Sequence, residues 1–123
     1  MWGVCQQALL RIETAASAAQ IAHYLSHPQP IWPLTLTDSP PQLEPGSRFQ
    51  VQLGPWFLAS QVQEQSPGRM TWIQWGAIDG WMEWRWGNGW VQLRWEGITY
   101  LPLALLTGWL LEQVGRLSPQ TDP

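Results

Sequence analysis

The feature that most constrains this chain is an alternation of apolar and polar residues from Ser47 to Tyr100, interrupted by short turn sequences. The interruptions are Gly54-Pro55, Pro67-Gly68, Asp79-Gly80 and Asn88-Gly89. A period of two places alternate side chains on opposite faces of a strand. Asp-Gly and Asn-Gly favour two-residue hairpin turns because both central residues of such a turn need positive φ. The pattern therefore predicts a meander of antiparallel strands.

Three of these turns predict the same buried face. The pairs they give are Trp86 with Val91, Trp84 with Leu93, Met82 with Trp95, Ala77 with Met82, Trp75 with Trp84, Ile73 with Trp86, Val62 with Ile73, Ser60 with Trp75 and Leu58 with Ala77. Gln74 and Arg85 meet on the other, polar face. A one-residue slip in any strand would exchange its two faces. The agreement predicts a sheet that is apolar on one side and polar on the other.

A strand and a helix are predicted before the meander, and a second helix after it. Val4 to Ile12 has a period of two, which indicates a strand. Thr14 is a suitable cap for a helix over Ala15–Ser26, which ends because prolines follow it. Those prolines are Pro28, Pro30 and Pro33. The apolar positions of the second helix are Leu103, Leu106, Leu110, Val114 and Leu117. Their spacing of three and four residues predicts an amphipathic helix that covers the sheet.

Five parts of the sequence together resemble one known superfamily. They are Ile12–Leu25, as strand end, cap and first helix; Pro28–Leu34, as a short Pro-broken helix; Leu43–Phe49, as the lead into the sheet; the Trp-rich strands from Asp79-Gly80; and Leu103–Leu117, as the closing helix. This arrangement resembles the helix-grip fold of the SRPBCC or START-like superfamily, which includes polyketide cyclases and lipid-transfer domains. The resemblance spans nearly the whole chain. It implies that the protein is a short, divergent member of this superfamily. It implies an α+β fold in which a curved antiparallel sheet wraps around a long C-terminal helix, and a hydrophobic small molecule bound between them.

Tryptophan is unusually abundant, at 11 of 123 residues. The residues predicted to form a ligand pocket are Ser60, Trp75, Trp84, Trp86 and Trp95 on the inner face of the sheet, with Leu106 and Leu110 on the terminal helix. An indole offers a flat apolar ligand a stacking face and one N–H donor. The alternative is that these indoles fill the core. Filling is favoured because a short chain can spare little core volume.

A second group of tryptophans is predicted on the outer face of the sheet. It comprises Trp72, Trp81 and Trp90, with Trp56 beside the Gly54-Pro55 turn. Grouped, exposed indoles are enriched at protein interfaces. The second hypothesis is therefore an accessory subunit with a Trp-filled core, which docks on a larger protein complex through this face. Peripheral membrane contact is a weaker alternative, because no basic patch accompanies the indoles.

Composition excludes several classes of function. The net charge is −3 and all six basic residues are arginine, so no basic face is available for nucleic acid. Cys5 is the single cysteine, which excludes an internal disulfide and a Cys-built zinc site. The longest apolar stretch, Ile98–Leu111, is too short to span a bilayer, and no secretory signal is evident. We expect one cytoplasmic domain over residues 1–117 and a frayed tail over 118–123.

Two polar clusters invite a chemical interpretation, and each has a simpler one. His23 and His27 share a helix face if the helix includes both, but no third metal ligand is evident. A second cluster consists of Glu83, Arg85, Arg94 and Glu96 on the polar face of one hairpin. Cross-strand ion pairing accounts for it. The sequence therefore predicts no metal, no cofactor and no catalytic residue, which disfavours an enzyme without excluding one.

Overall fold

Seven antiparallel strands form one sheet in the computed structural model, which describes residues 3–28 and 35–117. The elements are β1 (Val4–Glu13), α1 (Ala18–Ser26), β2 (Thr35–Thr37), β3 (Arg48–Leu53), β4 (Trp56–Ser66), β5 (Arg69–Gly76), β6 (Asp79–Gly87), β7 (Trp90–Thr99) and α2 (Leu103–Gly115). The strand order is β1-β7-β6-β5-β4-β3-β2. Pro30, Pro33, most of the predicted Pro28–Leu34 helix and the tail over 118–123 lie outside the described residues. The predicted α+β helix-grip architecture is confirmed.

The hairpin at Asn88-Gly89 forms in the predicted register. The pairs are Trp86 with Val91, Trp84 with Leu93 and Met82 with Trp95, and all six side chains are buried. Gly89 has a φ of 84°, the left-handed conformation that glycine adopts without steric cost. Asn88 also ties the turn to α1, because its Oδ1 accepts a hydrogen bond of 2.8 Å from the backbone N–H of Ala18. This hairpin is the centre of the core.

The predicted hairpin turn at Asp79-Gly80 is wrong, because both residues belong to β6. Gly80 pairs with Gly97 on β7. The chain turns over residues 77–78 instead, directly after Gly76, whose φ is 104°. Ile78 in this connection is 1 % exposed, so the corner buries an apolar side chain that a tight hairpin turn would expose.

The true register exchanges the two faces of β5. Met70, in place of Trp75, lies opposite Trp84. That displacement is five residues, an odd number, so β5 presents its other face to the core. A β-bulge in β4 makes the corresponding one-residue shift between β4 and β5. The predicted inward orientation of Trp75 and outward orientation of Trp72 are therefore both wrong.

Helix α1 begins later than predicted because Ser17, and not Thr14, is its N-cap. The Ser17 hydroxyl accepts from the backbone N–H of Gln20, and the Gln20 side chain accepts from the backbone N–H of Ser17 at 2.9 Å. This reciprocal capping box satisfies two N–H groups at the start of the helix. The helix buries Ile21 and Leu25 against the sheet.

Helix α2 covers part of the inner face of the sheet and leaves the rest open. It packs chiefly on β1 and β7. A Cβ placed on Gly108 would lie 3.8 Å from Leu10 on β1, and one on Gly115 would lie 3.0 Å from Ile12. A helix is about 10–12 Å wide and neighbouring strands are about 4.8 Å apart, so one helix covers roughly two strands. The inner face of β3 to β5 is consequently left facing a cavity.

Candidate ligand-binding cavity

A cavity of about 440 Å³ lies between the inner face of the sheet and α2. Its volume is within the range of about 300–1,000 Å³ that is typical of small-molecule sites. Leu106, Trp109 and Leu110 of α2 form one wall, strands β3 to β7 form the other, and Tyr24 and Leu25 of α1 close a third side. Of the four indoles expected to fill the core, Trp84, Trp86 and Trp95 do belong to it, and the cavity lies beside Trp84 and Trp95 because α2 sits at the β1–β7 end of the sheet.

The structure brings five of the seven predicted pocket residues to this cavity. They are Ser60, Trp84, Trp95, Leu106 and Leu110. Trp86 is 6 % exposed and belongs to the buried core without lining the cavity. Trp75 lies on the outer face and is 37 % exposed, because the register of β5 is the opposite of the predicted one.

Two tryptophans predicted for the outer face line the cavity. Trp72 packs edge-on against Phe49, with ring centroids 5.2 Å apart, and its ring centroid is 6.1 Å from that of Trp84. Trp56 lines the cavity at the start of β4 and is 49 % exposed, and the neighbouring Phe57 is 41 % exposed. Exposed side chains that also line a cavity mark its opening. The mouth therefore lies beside the β3–β4 turn.

The other two tryptophans of the predicted docking surface remain on the outer face. Trp90 lies beneath Arg11, whose guanidinium carbon is 4.2 Å from the ring centroid. Trp81 has Arg94 over its ring at 5.6 Å. Both indoles are half-buried. Each arginine covers the face of an indole with a cation–π contact, so these indoles form no bare aromatic surface.

Gln74 is a cavity residue that the sequence analysis placed on the wrong face. Its Oε1 accepts a hydrogen bond of 2.7 Å from Nε1 of Trp95, and its Nε2 donates to Oγ of Ser60 at 3.3 Å. All three residues are buried, and these hydrogen bonds offset the cost of burying their polar groups. The predicted register placed Gln74 on the polar face opposite Arg85, and the observed register of β5 brings it inside.

The described residues of the cavity wall are uncharged, and their polar side-chain atoms are mainly donors. Nε1 of Trp72 and Nε1 of Trp84 are buried and have no hydrogen-bond partner among the described residues. Burial raises the pKa of the Tyr24 phenol, which therefore stays neutral at physiological pH. None of the described residues that line the cavity is Arg, Lys, His, Asp or Glu.

The charged side chains of the β6–β7 hairpin form ion pairs on the outer face of the sheet. Glu83 lies opposite Arg94 as predicted, but its carboxylate contacts Arg69 at 2.9 Å and Arg85 at 3.2 Å. Arg94 pairs with Glu96 at 3.1 Å. Burial disfavours the ionised form of Glu83, but the hydrogen bond from Arg69 and the charge of Arg85 outweigh it, so the pKa of Glu83 is lowered. The cluster stabilises the sheet and lies outside the cavity.

Neither a metal-ligand cluster nor a membrane-spanning helix is found in residues 3–28 and 35–117. The His23 and His27 rings stack with centroids 3.9 Å apart, and Nδ1 of His27 lies 2.7 Å from the carbonyl oxygen of His23. No third His, Cys, Asp or Glu joins them in a group that could hold a metal ion. The helices in this part of the chain are too short or too polar to cross a bilayer.

Comparison with solved structures finds the same fold in proteins of very different sequence. No protein-family model matches the chain, and no curated protein matches it significantly. The crystal structure of CV1439 from Chromobacterium violaceum is 15 % identical, with a TM-score of 0.66 over 90 % of this chain and 96 % of that protein. The solution structure of the Aha1 dimer from Colwellia psychrerythraea is 13 % identical, with a TM-score of 0.57 over 89 % of this chain and 87 % of that protein.

A third solved structure agrees with these two. DynU16, a protein from the dynemicin biosynthetic locus, is 12 % identical with a TM-score of 0.52, and the match covers 89 % of this chain and 43 % of DynU16. Each of the three matches covers about nine tenths of this chain. At such low identity the likeness establishes the fold alone. The chain has the α+β helix-grip fold.

Proposed function

We propose that this protein is a short, divergent member of the SRPBCC superfamily that binds a hydrophobic small molecule between its sheet and α2, without catalysing a reaction. The observation that carries this proposal is the cavity of about 440 Å³ with its almost entirely apolar lining. Protein interiors are close-packed, and side chains around a void lose contacts with neighbouring atoms. An apolar ligand would restore those contacts and remove its own surface from water.

The shape of the cavity supports entry from solvent. Trp56 and Phe57 are exposed at the mouth, while Ser60, Trp84 and Trp95 are buried farther inside. Aromatic side chains at an opening give an apolar molecule a first point of contact before it reaches the interior. The resulting site has an accessible mouth and a buried, aromatic end.

The chemistry of the lining supports binding without catalysis. General acid–base catalysis needs a positioned group whose pKa is near the working pH. Tyr24 is the titratable group among the described lining residues, and burial moves its pKa away from neutrality. Glu83 and the arginines that surround it lie on the opposite face of the sheet.

Docking through the outer face has weaker support. Trp72 lies inside, and Trp81 and Trp90 are covered by Arg94 and Arg11. Trp75 is exposed on this face and lies opposite the small side chain of Ala59 on β4. The observations favour the cavity as the functional site.

Binding of N-phenyl-1-naphthylamine, a neutral apolar dye that fluoresces strongly in dry sites, tests the proposal. Protein is titrated into a dilute solution of the dye. We expect a saturable rise in fluorescence with one site per chain and a Kd on the order of 10–100 µM, from about 0.3–0.4 kcal/mol per non-hydrogen atom. A linear, non-saturating signal, or none, would contradict the proposal.

A further inference from the structure

The hydrogen bonds that begin at Trp95 run in a fixed direction. An indole nitrogen can donate and cannot accept, so the atom of Gln74 that lies 2.7 Å from Nε1 of Trp95 is the amide oxygen. The amide nitrogen therefore faces Ser60 and donates to its Oγ at 3.3 Å. Because Ser60 accepts this bond, the proton of its own hydroxyl is directed elsewhere.

That proton has no acceptor among the residues that the structure describes. Among the described residues, the Ser60 side chain hydrogen-bonds with Gln74 alone, and Ser60 is 1 % exposed. Ser60 lines the cavity, so the chain of hydrogen bonds ends in a free O–H donor at the cavity wall. A buried donor without an acceptor is unfavourable, and an oxygen atom supplied by a ligand would relieve it.

The rest of the wall has the same excess of donors over acceptors. The indole N–H groups of Trp72 and Trp84 are buried and have no acceptor among the described residues, as the hydroxyl proton of Ser60 has none. The amide oxygen of Gln74 already accepts from Trp95. A ligand that accepts a hydrogen bond suits this wall better than one that must donate.

The absence of charge in the described lining restricts the ligand further. A carboxylate or ammonium group entering the cavity would lose its water shell and find no residue of opposite charge. The arginines of the hairpin, Arg85 and Arg94, point to the outer face and cannot reach an anion inside. The site selects against ions of either sign.

We propose that the ligand is an uncharged, largely apolar molecule that presents one acceptor oxygen, such as a ketone or ester carbonyl, to the hydroxyl of Ser60. Trp95 and Gln74 are positioning residues in this account, because they hold the Ser60 oxygen as an acceptor and so leave its proton free. The inference rests on the proposed binding function and adds the chemical class of the ligand.

Three naphthalenes of nearly equal shape test the inference: 2-acetylnaphthalene, 2-ethylnaphthalene and 2-naphthoate. Their affinities are measured by displacement of N-phenyl-1-naphthylamine from the full chain, the Ser60→Ala variant and the Ser60→Thr variant. Thr keeps the hydroxyl and is the matched control. The ratio of the ketone affinity to the ethyl affinity is compared between proteins, because it cancels the difference in hydration between the two ligands.

We expect this ratio to fall about three- to tenfold in Ser60→Ala and to be kept in Ser60→Thr, as for the loss of one neutral hydrogen bond. We also expect 2-naphthoate to bind the full chain at least about tenfold more weakly than the ketone. If the ethyl compound binds but the ratio is the same in all three proteins, or if naphthoate binds as well as the ketone, the inference is overturned and the binding function stands. If neither the dye nor any naphthalene binds, both fail.

Discussion

Replacing Gly80 with alanine will destabilise the protein by about 3 kcal/mol or more, a large part of the total stability of a domain of this size. A Cβ at this position would collide with the carbonyl oxygen of Glu96 and lie 2.5 Å from the Cα of Gly97. These atoms belong to the backbone of the neighbouring strand β7, so no side-chain rotation can relieve the contact. Unfolding in urea, followed by tryptophan fluorescence, measures the change.

Gly108→Ala is the matched control for this prediction. Gly108 lies inside α2, where a Cβ would meet Leu10 at 3.8 Å, an ordinary contact distance. Alanine favours a helix over glycine by about 0.5–1 kcal/mol, so we expect this variant to be slightly more stable than the parent. If Gly80→Ala costs about 1 kcal/mol, as expected for a glycine with positive φ in a hairpin turn, the observed β6–β7 pairing at this position is wrong.

The variant Leu106→Trp will weaken binding of N-phenyl-1-naphthylamine at least about tenfold. Leu106 is half-buried and lines the cavity from α2, so a larger side chain at this position takes up space that the dye needs. The existing void can accommodate an indole without displacing the core, and we therefore expect the fold to be kept. The dye titration measures the affinity, and circular dichroism checks the fold.

Leu105→Trp is the control for the blocked cavity. Leu105 is adjacent in sequence, but it is 73 % exposed and does not line the cavity. The same substitution at this position adds the same chemical group on the solvent side of the helix. We expect the dye affinity of this variant to stay within about twofold of the parent value. Equal weakening by both substitutions would place the dye outside the cavity.

The parts of the fold that are specified locally were predictable from the sequence. Asn88-Gly89 forms the predicted turn because positive φ at this position is a property of the residues themselves. The polar and apolar faces of β6 and β7 then follow from their period of two. The last helix was predictable for a similar reason, since its apolar residues recur at the helical period.

The register of β5 could not be read from the sequence, because it depends on two features without a local signal. One is the β-bulge in β4, and the other is the connection that buries Ile78. Asp79-Gly80 is a strong hairpin sequence, but the pairing of Gly80 with Gly97 outweighs it. The bulge shifts β5 by one residue relative to β4, and the connection shifts it by five residues relative to β6. Both shifts are odd, and both therefore turn the same face of β5 towards the core.

This exchange decides how much of the candidate site was predictable. Ser60, Trp84 and Trp95 lie on strands β4, β6 and β7, which keep their predicted faces, and these residues line the cavity. Trp72 and Gln74 lie on β5, and their role in the cavity was therefore missed. A pocket was predicted, but whether the indoles fill it could not be decided, because composition does not show which strands a helix will cover.

The central claim is that a neutral apolar ligand binds in the cavity between the sheet and α2. The indole N–H resonances in a ¹H–¹⁵N NMR spectrum test this claim most directly. Each tryptophan gives one such signal, which single Trp→Phe replacements assign. On addition of 2-acetylnaphthalene, we predict shifts for Trp72, Trp84 and Trp95, which line the cavity, and none for Trp81 and Trp90 beneath their arginines. Shifts confined to Trp81, Trp90 and the exposed Trp75 would contradict the account and identify the outer face as the binding surface.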